Sequence, residues 1–126
     1  MRLGVHFILD FAGCRQGILN SEEEIANILR KAAEHSNTTI LNLYTHKFSP
    51  QGVSGAVVIA ESHISIHTWP DKDYVALDIF TCGDTALPQK AVEYLTAALE
   101  PKVSQVRELS RGFKDTERQG DQLQSL

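Results

Sequence analysis

From residue 53 to residue 69 the chain carries about 17 consecutive residues of strand-forming sequence, with a single glycine (Gly55) and no Pro, Asn or Asp. Strands in globular proteins are usually about 5–6 residues long, so this run must be broken. The apolar segments 53–60 and 64–69 leave only Ala60-Glu61-Ser62-His63 for the break. None of those four is a residue that favours a tight turn. The chain is thus predicted to fold into a hairpin there against its local preference, with backbone strain at Glu61-Ser62.

The flanking sequence supplies the rest of a sheet. In residues 3–11, Val5, Phe7, Leu9 and Phe11 alternate with His6, Ile8 and Asp10, which predicts a strand with one buried face. Ser21 followed by Glu24 is a capping-box signature, and Ile25, Ile28, Leu29 and Ala32 behind it predict a helix over 21–35. Residues 38–48 are rich in β-formers, and Ser49-Pro50-Gln51-Gly52 reads as a turn. A second turn at 70–73 leads into an alternating strand at 74–82. Pro88 opens a second helix striped by Ala91, Val92, Leu95, Ala98 and Leu99, and 103–109 predicts a short edge strand. The order β-α-β-β-β-β-α-β, with hairpin-length links in its middle, predicts an α+β fold. The expected architecture is a two-layer α/β sandwich, with a largely antiparallel sheet and two helices on one face.

Bulk properties exclude several classes. The 126 residues suit one domain, and 42% hydrophobic content can build a core. A net charge of −4 argues against nucleic acid. No apolar run approaches the roughly 20 residues that span a bilayer, so no membrane partner is expected. The start of the sequence enters strand pattern directly, without a signal segment, which makes the cytoplasm the expected location. There Cys14 and Cys82 are expected as free thiols. Residues 113–126 are polar and expected to form a mobile tail.

The chemistry concentrates in residues 61–83. His63 and His67 would share an ion on a helix, but on a strand they lie about 13 Å apart, so no metal site is expected from them. Ser54, within Gly52-Val53-Ser54-Gly55, lacks the nucleophile-elbow pattern and reads as a small strand residue. His63, Ser65, His67 and Trp69 share one strand face. That face is either the solvent side of an antiparallel sheet or a binding surface shared with a partner subunit. Cys82 reads as a small buried hydrophobe, with reactivity open at its strand end.

Residues 52–70, Gly-Val-Ser-Gly-Ala-Val-Val-Ile-Ala-Glu-Ser-His-Ile-Ser-Ile-His-Thr-Trp-Pro, and 78–83, Asp-Ile-Phe-Thr-Cys-Gly, resemble the small prokaryotic S-adenosylmethionine decarboxylase proenzymes, which are pyruvoyl-dependent. The similarity extends to Gly4-Val5-His6, Asp10 to Cys14, His46-Lys47-Phe48 and Arg111-Gly112, so it covers nearly all of the chain before the tail.

The resemblance implies a single catalytic domain over 1–112 that cuts itself between Glu61 and Ser62, giving a beta chain (1–61) and an alpha chain (62–126). Ser62 becomes the pyruvoyl group, which forms a Schiff base with the substrate in place of pyridoxal phosphate, and no metal is needed. By the same match His67 is the proton acceptor in processing, with Ser54 assisting, and Cys82 is the proton donor in catalysis. Phe48, Trp69, Asp71 and Leu3 match the substrate-binding region. The implied reaction converts S-adenosylmethionine into carbon dioxide and the decarboxylated aminopropyl donor for spermidine synthesis. The implied assembly is a homodimer packed sheet to sheet, with active sites at the interface. Asp71 stands where the family commonly has Glu, and Lys72-Asp73 where relatives often have a residue followed by Gly. These departures keep two alternatives open: a pyruvoyl decarboxylase of another amino acid such as arginine or ornithine, and an unprocessed, non-catalytic homologue.

Overall fold

In the computed structural model, which describes residues 3–113, the elements follow the predicted order. They are β1 (Gly4–Ala12), α1 (Glu22–His35), β2 (Thr39–Lys47), β3 (Val53–Ala60), β4 (Ser62–Trp69), β5 (Tyr74–Cys82), α2 (Pro88–Leu99) and β6 (Val103–Arg111). The six strands form one sheet in the order β2-β3-β4-β5-β1-β6. Every pairing is antiparallel, which is more uniform than expected. Most of the polar tail lies outside the described residues.

Both helices pack on one face of the sheet. The alternation in β1 buries Phe7, Leu9 and Phe11 beneath them. Ile64 and Ile66 of β4 and Val75, Leu77 and Ile79 of β5 continue the same layer. Ile25, Ile28, Leu29 and Ala32 of α1 and Ala91, Leu95 and Leu99 of α2 close it from above. Gly55 in β3 admits α1 closely: a Cβ there would stand 2.8 Å from the Leu29 side chain. β6 receives no such cover and is exposed along its whole length, as an edge strand. Among the described residues no helix is long and apolar enough to cross a membrane.

Local signals explain the helix ends. The Ser21 side chain accepts a hydrogen bond from the Glu24 backbone N–H at 3.2 Å. Only this half of the capping box forms, because the Ser21 N–H is donated to the Ile18 carbonyl at 3.2 Å, and the Glu24 carboxylate lies 3.7 Å from Arg15 instead. Pro88 occupies the first turn of α2, where its missing N–H costs nothing.

The long strand run breaks within the predicted segment 60–63. Ile59 pairs with Ser62, leaving Ala60-Glu61 as a two-residue connection between β3 and β4. The Ala60–Glu61 peptide bond is cis. Ser62 has φ 115°, a region that favours glycine and costs an L-residue about 1–3 kcal/mol.

Candidate active site

The helix-free face of the sheet carries the chemistry, and strand register arranges it in rows. Gly4 lies opposite Cys82 at one end, followed by His6 opposite Phe80 and Phe80 opposite His63. The next rows hold Asp78 with Ser65, then Ser54 with His67, then Tyr74 with Trp69.

At the first end, the Ser62 hydroxyl lies 3.4 Å from the Cys82 sulfur. The space around this pair depends on Gly4. A Cβ at that position would meet the Phe80 ring at 2.7 Å and the Cys82 sulfur at 3.1 Å. Glu61 immediately precedes Ser62 in the turn. Leu3, exposed, lines a groove of about 600 Å³ with Val5, Phe7, Thr81 and Pro88, which opens on the helix-bearing side of the sheet.

At the opposite end, Ser54 Oγ and His67 Nδ1 share a 2.8 Å hydrogen bond across β3 and β4. They line a pocket of about 290 Å³ with Phe48, Trp69 and Asp71. The ring of Trp69 stacks on Tyr74 at 5.3 Å between centroids, and Phe48 packs edge-on against His46 at 4.6 Å. The Tyr74 hydroxyl donates to Asp10, which raises its pKa and keeps the phenol protonated. Asp71 sits in a short 3-10 helix, Pro70–Lys72. Asp73 adopts φ 50°, and its carboxylate accepts the Cys14 N–H at 3.2 Å. Aspartate tolerates this left-handed conformation better than most residues. Burial, then the nearby Asp73 charge, push the Cys14 thiol up to about 11, which keeps it protonated at neutral pH.

The residues expected to act together therefore fall into two groups. Glu61, Ser62 and Cys82 occupy one end of the face, and Ser54, His67, Phe48, Trp69 and Asp71 the other, while Leu3 lines the groove on the opposite side of the sheet. His67 is five residues beyond Ser62 on the same strand, about 16 Å at the usual rise per residue.

Between the two groups lies a polar network that local sequence pattern does not reveal. Asp78 Oδ2 accepts from His6 Nε2 at 2.7 Å and from His63 Nε2 at 3.1 Å. Ser65 donates to Asp78 Oδ1. Arg111 approaches His6 Nδ1 at 2.9 Å. An arginine can only donate, so Nδ1 is the acceptor and Nε2 carries the hydrogen directed at Asp78. Burial pushes the Asp78 carboxyl up, but the hydrogen bonds from Ser65, His6 and His63 outweigh it and hold its pKa below the ordinary value. One atom each of His6, His63 and Asp78 lie within 4.8 Å of one another, a spacing that could hold an ion. Strand alternation placed His6, His63, Ser65 and Asp78 on consistent faces, but only the register joins residues 72 apart such as His6 and Asp78.

Comparison with known proteins agrees with this architecture. The family model described as S-adenosylmethionine decarboxylase matches residues 5–112. The chain is 43% identical to the S-adenosylmethionine decarboxylase proenzyme of Pyrococcus horikoshii, over 92% of this chain and 84% of that protein. It is 46% identical to the proenzyme of the same name from Thermodesulfovibrio yellowstonii, over 88% of this chain and 82% of that one. The crystal structure of adenosylmethionine decarboxylase from Aquifex aeolicus superposes with a TM-score of 0.85 at 33% identity, covering 93% of this chain and 97% of that one. A Trypanosoma brucei AdoMetDC structure shares the fold alone, at a TM-score of 0.59 and 16% identity. By the extent of the family match and the identity to these relatives, the chain belongs to the S-adenosylmethionine decarboxylase family.

Proposed function

We propose that the chain is a proenzyme that cuts itself between Glu61 and Ser62 and then decarboxylates S-adenosylmethionine, yielding the aminopropyl donor for spermidine synthesis. The observation that carries this reading is Ser62 itself. It opens β4 directly after the two-residue turn, at φ 115°, with its hydroxyl 3.4 Å from the Cys82 sulfur.

In the first step the Ser62 hydroxyl attacks the Glu61 carbonyl carbon. The C–N bond breaks and an ester replaces the amide. A base then removes the Ser62 Cα proton, the Cβ–O bond breaks, and Glu61 leaves as a carboxylate. The dehydroalanine left at residue 62 takes up water and loses ammonia, becoming a pyruvoyl group. The mature subunit then consists of chains 1–61 and 62–126, with 1–112 as the catalytic domain. The pyruvoyl group supplies the electron sink for loss of carbon dioxide, so neither pyridoxal phosphate nor a metal is required. Cys82 returns the proton to the product, a role supported by the contact of its thiol with residue 62. A working thiol there suits a reducing compartment such as the cytoplasm.

His67 serves as the base in processing, with Ser54 as its hydrogen-bonded partner. Since His67 lies about 16 Å from Ser62 along β4, the two act on one another between protomers. A two-fold axis through the middle of the helix-free face would bring one copy's Ser62 and Cys82 to the other's Ser54 and His67. The face is suited to burial, with Tyr44, Val58 and Leu109 exposed on it. We therefore read the assembly as a homodimer packed sheet to sheet, with two composite sites. In each site Phe48 and Trp69 offer aromatic faces to the sulfonium and adenine, by cation–π attraction and stacking. Asp71 accepts hydrogen bonds from the ribose, and Leu3 adds an apolar contact.

The test is denaturing mass spectrometry of the purified chain, paired with carbon dioxide release from carboxyl-labelled S-adenosylmethionine. The expected result is two fragments meeting at residues 61 and 62, with activity that follows their formation. An intact chain after prolonged incubation would contradict self-cleavage. A cleaved chain that releases no carbon dioxide from this substrate would contradict the substrate assignment.

A further inference from the structure

The Asp78 network takes no part in the chemistry above, yet it joins four adjacent strands next to the scissile bond. His63 and Ser65, which grip Asp78 from β4, are the first and third residues after Ser62. His6 holds the same carboxylate from β1, and Arg111 braces His6 from β6 while its guanidinium lies 5.4 Å from the centre of the Phe80 ring. An unfavourable backbone such as that of Ser62 persists only where its surroundings over-determine it. Immediately before Ser62 there are only Ala60 and Glu61, both exposed. Immediately after it stands this network.

We propose that Asp78 is a positioning residue for self-cleavage. By tying down His63 and Ser65 it fixes the start of β4, so that the unfavourable conformation is retained at Ser62 instead of relaxing along the strand. This inference rests on the reading of Ser62 as the self-cleaving serine. A bound cation is the rival occupant of the same three ligands. The Arg111 contact disfavours it, because the His6 nitrogen facing Asp78 already carries a hydrogen and a guanidinium stands behind the ring.

The experiment compares self-cleavage rates of the full-length chain and its His63→Gln, His63→Leu and Asp78→Asn variants by mass spectrometry, with and without hydroxylamine. Glutamine keeps a side-chain N–H that can reach Asp78, whereas leucine fills similar space without one. The expected result is cleavage within about 3-fold of wild type for His63→Gln, and a loss of about 10-fold or more for His63→Leu and Asp78→Asn. Hydroxylamine cuts esters, so it should not restore cleavage where the amide-to-ester shift itself is slowed. It should cut His67→Ala, in which the ester forms and then waits for a base. Equal rates for His63→Gln and His63→Leu would overturn the proposal even if Asp78→Asn failed to fold. So would hydroxylamine rescue of Asp78→Asn, or wild-type cleavage that depends on a divalent metal and stops with a chelator. A wild-type chain that stays whole would instead defeat the self-cleavage reading on which the proposal rests.

Discussion

Ser54 and His67 are hydrogen-bonded at 2.8 Å across β3 and β4, in a row of the sheet well removed from the one that holds Ser62. If His67 is the processing base, His67→Ala should slow cleavage by about 10²–10⁴-fold, the usual contribution of a positioned base. Ser54→Ala should fall between this variant and wild type, since it removes the ring's partner and not the ring. Time courses of fragment formation by mass spectrometry measure both.

Cys82 is predicted to separate maturation from turnover. Cys82→Ala should still yield both fragments, because the serine and the base are intact. Its release of carbon dioxide should drop by about 10²–10⁴-fold if the thiol returns the proton. The cleaved fraction and the turnover of the same sample decide this.

Gly4 should tolerate no side chain. In Gly4→Ala the new methyl would stand 2.6 Å from the Thr81 carbonyl oxygen and 2.7 Å from the Phe80 ring, so β1 or β5 must shift. Overpacking of this kind costs about 1–3 kcal/mol. Urea unfolding should show that loss of stability, together with reduced turnover as Cys82 is displaced.

How much of this could be read beforehand follows the range of each interaction. The buried faces of β1 and β5, both helices and the break at Glu61-Ser62 rest on local alternation and turn chemistry, and all are found as expected. The half-formed capping box is a local miss, because the turn before the helix takes the Ser21 N–H for the Ile18 carbonyl. The family resemblance led to Ser62, His67 and Cys82 as one functional set, but it did not reveal that the set divides between two ends of a face. The separation follows from strand rise, and the sequence placed the three residues on the strands that impose it. The Asp78 network was beyond reach for another reason. It needs the pairing of β1 with β5 and with β6, which joins residues far apart in the chain.

Asp78 also sets a dependence on pH. Its folded pKa is held below the ordinary aspartate value, because burial pushes it up but the hydrogen bonds from Ser65, His6 and His63 outweigh that. The stability it contributes is complete above the unfolded value and is lost as pH falls through the lower folded value. Wild type should therefore lose more stability than Asp78→Asn as the pH falls below about 4. Urea unfolding of the two proteins between pH 6 and pH 3 gives the difference directly.

The central claim is that each site takes Ser62 from one protomer and His67 from the other. It is tested by co-expressing Ser62→Ala and His67→Ala chains, distinguished by mass. In the mixed dimer the His67→Ala chain retains its serine and faces an intact histidine. The account predicts that this chain is cut between residues 61 and 62 while the Ser62→Ala chain stays whole. If the His67→Ala chain is cut no faster in the mixed dimer than alone, while wild type cleaves normally, the composite site is contradicted.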